Sequence, residues 1–164
     1  MPPIVIQELH IPSDHDARRV LALQLRSYTV EARIIGAISL PPLHDTLHTL
    51  KTCGETFFGC FEGEELTAVV SYKRHDALLD IHRLFVNPNH FREGRASASL
   101  SFVQIAETGV GRITVSTGSR NAPAMRLYVA HGFTRTGEFE AAPGLFVTRF
   151  EKATRRLAAP SGGC

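Results

Sequence analysis

The stretch that most constrains this chain is residues 78–103, LLDIHRLFVNPNHFREGRASASLSFV. It begins as a strand. Leu79, Ile81, Arg83 and Phe85 alternate with Asp80, His82, Leu84 and Val86, so the first set is expected on one face and the second on the other. Pro88 and the flanking Asn87 and Asn89 end the strand, because proline cannot donate to a ladder. A polar turn containing Gly94 follows. The spacing of Ala96, Leu100 and Val103, widened by Phe102, Ile105 and Ala106, then predicts a helix from Arg95 or Ala96 to Glu107. Strand, tight turn and helix in this order form one physical device. The first helical amides lack carbonyl partners, and the dipole adds partial positive charge there. Glycine lets a ligand approach the backbone closely. The product is an anion site suited to phosphate, with Arg92 and Arg95 as adjacent cations. The alternative is an ordinary strand, loop and helix with a basic turn. No Gly-Lys-Ser or Gly-Lys-Thr follows the glycine, so the turn is not a Walker loop, and no GxGxxG supports a dinucleotide fold.

The rest of the chain supplies the elements around this unit. Residues 4–9 read as a strand. A helix is expected from about residue 15 to residue 28 or beyond, with Ser13 or Asp14 as cap. Ala32, Ile34 and Ile35 either extend it or form a second short helix, Gly36 breaks it, and Pro41-Pro42 marks a loop. A short helix is expected over 44–51, ending at Gly54. Residues 55–62 and 66–74 flank Gly63-Glu64-Glu65 as a hairpin, and a turn at 75–77 leads into the strand described above. Residues 112–116 read as a strand added parallel to that one, because a helix connects them. A helix over 121–131 starts at Asn121, tolerates Pro123 in its first turn and ends before Gly132. Residues 133–139 and 145–151 make a last strand pair. From Lys152 onward a frayed helix end and a tail are expected. Residues 1–152 are thus expected to form a single domain and 153–164 a flexible tail.

Composition narrows the function classes. With 164 residues, 43% hydrophobic and 21% charged, the chain has the make-up of a soluble domain able to bury a substantial core. A net charge of +2 is too small for a nucleic-acid partner. The three cysteines, Cys53, Cys60 and Cys164, form no CxxC, which speaks against a disulfide framework and a zinc site. Cys60 sits in an apolar run and reads as core. Among the histidines, His44 and His48 at i, i+4 have metal-ligand spacing but no third ligand, so no metal is expected. The opening Met-Pro-Pro lacks a basic signal-peptide region, and no run approaches a membrane span. The expectation is a cytoplasmic protein with no membrane partner.

The second half resembles a known family. A strand ending Val86-x-Pro88, followed by Phe91-Arg92-Glu93-Gly94-Arg95-Ala96, resembles the acetyl-CoA-binding motif of the GNAT family of N-acetyltransferases. Farther on, Asn121-x-x-Ala124-x-x-Leu127-Tyr128 with Gly132-Phe133 resembles that family's second motif. The likeness covers residues 66–150. The phrases GETFFG, SYK, DIHRL and HFREG are similar to a bacterial subgroup of mostly undefined substrate. The resemblance implies a mixed α/β fold: a central, mostly antiparallel sheet of six or seven strands, splayed at a parallel pair and flanked by about four helices. It implies acetyl-CoA as co-substrate. The backbone at Leu84, Phe85 and Val86 would bind the pantetheine arm. Arg92, Glu93, Gly94, Arg95, Ala96 and Ser97 would cradle the pyrophosphate with their amides, Asn121 would contact the cofactor, and Tyr128 would lie near the thioester sulfur. Arg95 stands where the family usually has Ile or Val. A charge there needs a partner, so either Arg95 turns out to a cofactor phosphate or the turn is displaced.

Acetyl transfer needs a neutral amine, a polarised carbonyl and a protonated leaving thiolate. Tyr128 is the candidate proton donor; its alternative is a core tyrosine with a satisfied hydroxyl. His82, with Asp80 on the same face, is the candidate proton acceptor, or else a structural histidine. Glu31, after the first helix, is a candidate partner for a cationic amine, or a solvated surface charge. Arg83 is expected to serve structure. The leading expectation is therefore an N-acetyltransferase acting on the primary amine of a small molecule or peptide; the oligomeric state stays open, and the resemblance allows a homodimer, since many relatives form dimers. An acyl-CoA-binding sensor of the same fold without transferase activity is the alternative.

Overall fold

The structure is a computed structural model that describes residues 3–37 and 39–154. Seven strands form one sheet: β1 (Ile4–Leu9), β2 (Thr56–Glu62), β3 (Glu65–His75), β4 (Leu78–Val86), β5 (Arg112–Gly118), β6 (Thr134–Ala142) and β7 (Leu145–Ala153), in the order β1-β2-β3-β4-β5-β7-β6. Four α-helices cover it: α1 (Asp14–Ile35), α2 (Leu47–Lys51), α3 (Arg95–Ala106) and α4 (Ala122–Ala130). All neighbouring strands are antiparallel except β4 and β5, whose parallel pairing follows from the helical crossover between them.

Helix α1 continues to Ile35, so Ala32, Ile34 and Ile35 extend it. Gly36 stops it at φ 71, and the Ala37 amide donates to the Ala32 carbonyl in a left-handed C-terminal turn. The expected helix over 44–51 is shorter. Thr46 caps α2 through the Thr49 amide, and Pro41–His44 form a separate 3-10 turn. His44 and His48 therefore do not share a helix face, and His44 bonds Ser39 Oγ instead. Lys152 and Ala153 are strand, not a helix end: β7 pairs them with Ile113 and Arg112. The remaining tail expected at 155–164, with Cys164, lies outside the described residues.

Two apolar cores flank the sheet. One gathers Leu79, Ile81, Ile113, Val115 and Phe150 with Leu100 and Val103 of α3 and Tyr128 of α4. The other gathers Phe57, Phe61, Val69 and Phe85 with Val20 and Leu23 of α1 and Leu50 of α2. Cys60 is fully buried, as expected. Leu79 and Ile81 thus lie in one core and Phe85 in the other, against the simple alternation. The cause is a bulge. Tyr72 pairs with Ile81 and Ser71 with Arg83, leaving His82 without a partner on β3. One extra residue reverses the faces of everything after it.

Candidate functional site

The site starts from a failure of pairing. β4 and β5 are in register only at Leu78 with Arg112, Leu79 with Ile113 and Asp80 with Thr114. Beyond that the strands diverge, while Leu84, Phe85 and Val86 stay bonded to β3. The β5-facing edge of β4 is therefore unpaired, and an open strand edge offers its amides and carbonyls to an extended ligand. A cleft of about 600 Å³ opens there. Leu84, Phe85, Val86, Arg92, Gly94, Arg95, Ala96, Ser97, Asn121 and Tyr128 line it, together with Glu31 and His82.

The phosphate-type end is the start of α3. Its first helical bond runs from the Ala98 amide to the Gly94 carbonyl, which leaves the amides of Arg95, Ala96 and Ser97 free of helical partners. Gly94 sits at φ 76 as N-cap without a side-chain cap, and Arg92 also has positive φ, 65. The preceding Phe91 lines the cleft and is 41% exposed. Ser97 Oγ is held 2.8 Å from His131 Nε2 at the end of α4. Burial and then the nearby Lys152 charge lower the His131 pKa, which keeps that imidazole neutral.

The Arg95 side chain lines the cleft and is held by protein partners. It is 6% exposed, and its Nη2 donates to Glu62 Oε2 at 2.8 Å and Glu93 Oε2 at 3.4 Å. A partner that a buried charge requires comes from Glu62 on β2. Nε and Nη1 have no protein acceptor. The Glu93 carboxylate is likewise turned away from the cleft, onto His90 Nδ1 at 2.8 Å. Glu62, His90 and Glu93 bring ligand atoms within 4.8 Å of one another, but the Arg95 guanidinium sits on two of these groups and supplies the positive charge itself.

The catalytic candidates divide between two walls. Tyr128 is buried on α4, with its ring 5.6 Å from those of Phe133 and Phe150. Burial first, then the Glu31 charge, pushes its pKa up, so the phenol stays protonated. Asn121 caps α4 by accepting from the Ala124 amide at 3.2 Å, and its Nδ2 donates to Glu31 Oε1 at 2.7 Å. Burial raises the Glu31 pKa against that hydrogen bond. His82 and Asp80 do meet, Nε2 to Oδ2 at 3.0 Å, and Thr114 donates to the other Asp80 oxygen at 2.7 Å. His82 lines the cleft, and Asp80 stands behind it.

The bulge also brings His82 and Arg83 to one buried carboxylate, Glu55. Its side chain is 6% exposed and takes hydrogen bonds from Ser71 Oγ at 2.6 Å and Arg83 Nη1 at 2.5 Å, with His82 Nδ1 at 3.6 Å. Burial alone would raise the Glu55 pKa, but His82, Ser71 and Arg83 outweigh it and bring it down to about 2. In return Glu55, then Asp80, raise the His82 pKa against burial. Arg83 reaches Asp45 as well, at 3.1 Å, in the structural role expected of it. Tyr28, one turn before Glu31 on α1, lines the cleft with its ring 5.6 Å from Phe85. Neither Tyr28 nor Glu55 belongs to the two cofactor motifs, although Glu55 falls within the phrase GETFFG. Helical spacing from Glu31 was the one signal pointing to Tyr28.

Solved acetyltransferases share this frame. An acetyltransferase from Thermus thermophilus superposes with a TM-score of 0.73 at 19% identity, over 92% of this chain and 97% of that one. The PaiA N-acetyltransferase of Thermoplasma acidophilum, solved in complex with coenzyme A, gives 0.72 at 15% identity, over 93% and 99%. The fold is thus that of acetyltransferases. The acetyltransferase (GNAT) family matches residues 17–133, and the chain belongs to that family. It is also 34% identical over 140 residues to the UPF0157 protein YqkA of Bacillus subtilis, covering 85% of this chain but 41% of that protein, so it spans less than half the length of this relative.

Proposed function

We propose that the chain is an acetyl-CoA-dependent N-acetyltransferase that moves the acetyl group directly to a primary amine. One observation carries this reading: an unpaired β4 edge, the free amides of α3 and the protonated Tyr128 phenol all open on a single cleft. Acetyl-CoA is an extended chain with amides in its arm and a pyrophosphate at the far end. The β4 edge at Leu84, Phe85 and Val86 offers backbone partners to the arm, and the amides following Gly94 offer them to the phosphates. That the PaiA enzyme of similar fold was solved in complex with coenzyme A supports the class of cofactor.

In the transfer, the amine nitrogen bonds to the thioester carbonyl carbon and the carbon–sulfur bond breaks. Tyr128 gives its proton to the leaving thiolate. The Asp80–His82 pair takes the proton lost by the amine. A second reading, an acyl-CoA sensor without turnover, draws on one feature: both ring nitrogens of His82 face carboxylates, which favours the imidazolium over the base. Release of thiol from acetyl-CoA, followed over a panel of amines, separates the two. Acceptor-dependent release with acetylated product supports the enzyme; tight cofactor binding with no release on any amine supports the sensor.

A further inference from the structure

We propose that the acceptor is a primary monoamine with an apolar body, its nitrogen seated as an ammonium on Glu31, which takes up that proton before the neutral amine attacks, and its body held between the end of α1 and the β6–β7 hairpin. The proposal rests on the acetyltransferase reading above and names the substrate class for the same cleft.

The distribution of charge within the cleft leads there. Glu31 is the one carboxylate among its described lining residues. A single neutral donor, Asn121 Nδ2, reaches it, and no described cation pairs with it. A carboxylate drawn into a cleft with one amide for company is short of a positive partner, and burial has raised its pKa accordingly. The other acids nearby are already engaged. Glu55 and Asp45 share Arg83, and Asp80 is bonded to Thr114 and His82. A second ammonium, as in a polyamine, would find no free counter-charge. An acceptor bearing its own carboxylate fares no better on this side, because Arg83 is committed to Asp45 and Glu55, and His82 faces that same Glu55 and Asp80. Arg92 belongs to the turn before α3, at the phosphate-type end.

The walls around Glu31 are apolar. Ile34 lies one helical turn beyond it, Leu40 and Pro41 follow at the cap and start of the 3-10 turn, and Leu145 and Val147 face them from the hairpin. Ile34 is 50% exposed, a large aliphatic surface left open beside a carboxylate. Leu40 packs with Ala32, Ile35 and Leu145 in a small core of its own, so this wall is built rather than loose. An alkyl or aryl body buried there gains from its apolar area, while the ammonium completes the unpaired acid.

Isothermal titration into the full chain saturated with coenzyme A tests this with three probes: 2-phenylethylamine, phenylalanine and spermidine. Phenylethylamine should bind at least about tenfold tighter than either of the others. Glu31→Gln, which keeps the shape and an acceptor for Asn121, should weaken it by about tenfold. Ile34→Glu, at a half-exposed position, should improve spermidine relative to phenylethylamine by supplying the second carboxylate. Equal or tighter binding of spermidine or phenylalanine would overturn the proposal, as would unchanged affinity in Glu31→Gln, or no amine binding to a protein that does take up coenzyme A. Failure to bind coenzyme A at all would instead remove the acetyltransferase reading, and the proposal with it.

Discussion

Tyr128, Asn121 and Gly94 were legible at the scale of single residues because each belongs to a spaced motif. Arg95 was not, because its partner Glu62 lies far along the chain on β2 and no local pattern announces it. Glu55 was hidden for the same reason: its charge acquires meaning only where the bulge brings His82 and Arg83 beside it. Two predictions belong here. Tyr128→Phe should lower kcat by about a hundredfold while acetyl-CoA affinity holds, the size expected of a lost proton donor. An unaltered rate would take Tyr128 out of the mechanism. The second concerns pH. Glu55 and Asp80 stabilise the imidazolium, so the proton-accepting form of His82 prevails only above the usual histidine range, and kcat/KM should rise with pH through that raised value. Glu55→Gln removes the larger cause and should move the inflection downward; an inflection that stays in place would dissociate His82 from the rate. The stability linkage has matching signs. The contribution of His82 is complete below its unfolded pKa and is lost as pH rises through the folded one, whereas that of Glu55 is lost as pH falls from the ordinary carboxylate range towards about 2.

Among the elements, hydrophobic periodicity and turn residues located every strand and all four helices, and β1 matched its expected bounds. Element ends were less legible. Thr46, a stronger cap than anything at His44, moved the start of α2, and pairing with β5 drew Lys152 and Ala153 into β7. The bulge in β4 had no glycine or proline to mark it. Its consequence is large, since it sends Phe85 to the α1 side and leaves His82 unpaired at the mouth of the splay. The α3 turn yields the cleanest element-level prediction. A side chain at position 94 meets nothing within 4 Å, so sterics do not forbid it, but φ 76 strains any L-residue. Gly94→Ala should cost about 1 kcal/mol of stability and little cofactor affinity. Gly94→Asp should cost similar stability and in addition weaken acetyl-CoA binding by about tenfold or more, through a carboxylate beside the phosphates. Equal affinities for the two variants would move the phosphate site elsewhere.

Over the whole molecule, the sheet divides the two cores, and the cleft is the space that β4 and β5 leave where they diverge. Arg83 ties Asp45 and Glu55 to β4 on the α1 side. Arg83→Met would strand two carboxylates, one of them buried, and should lower the unfolding free energy by about 3 kcal/mol, read as a lower urea midpoint. No described helix is long and apolar enough to cross a membrane. The parallel pair was foreseeable from the helical crossover, and family membership from the two motifs. Glu31 was already a candidate for an amine from its place in the chain, but the apolar wall of Ile34 and the hairpin beside it forms only in the fold. All of this depends on the cleft being a cofactor site, so the most direct measurement is calorimetric titration of the full chain with acetyl-CoA. The account predicts saturable binding of one molecule per chain with a dissociation constant near or below about 100 µM. No heat of binding up to high micromolar cofactor would contradict it.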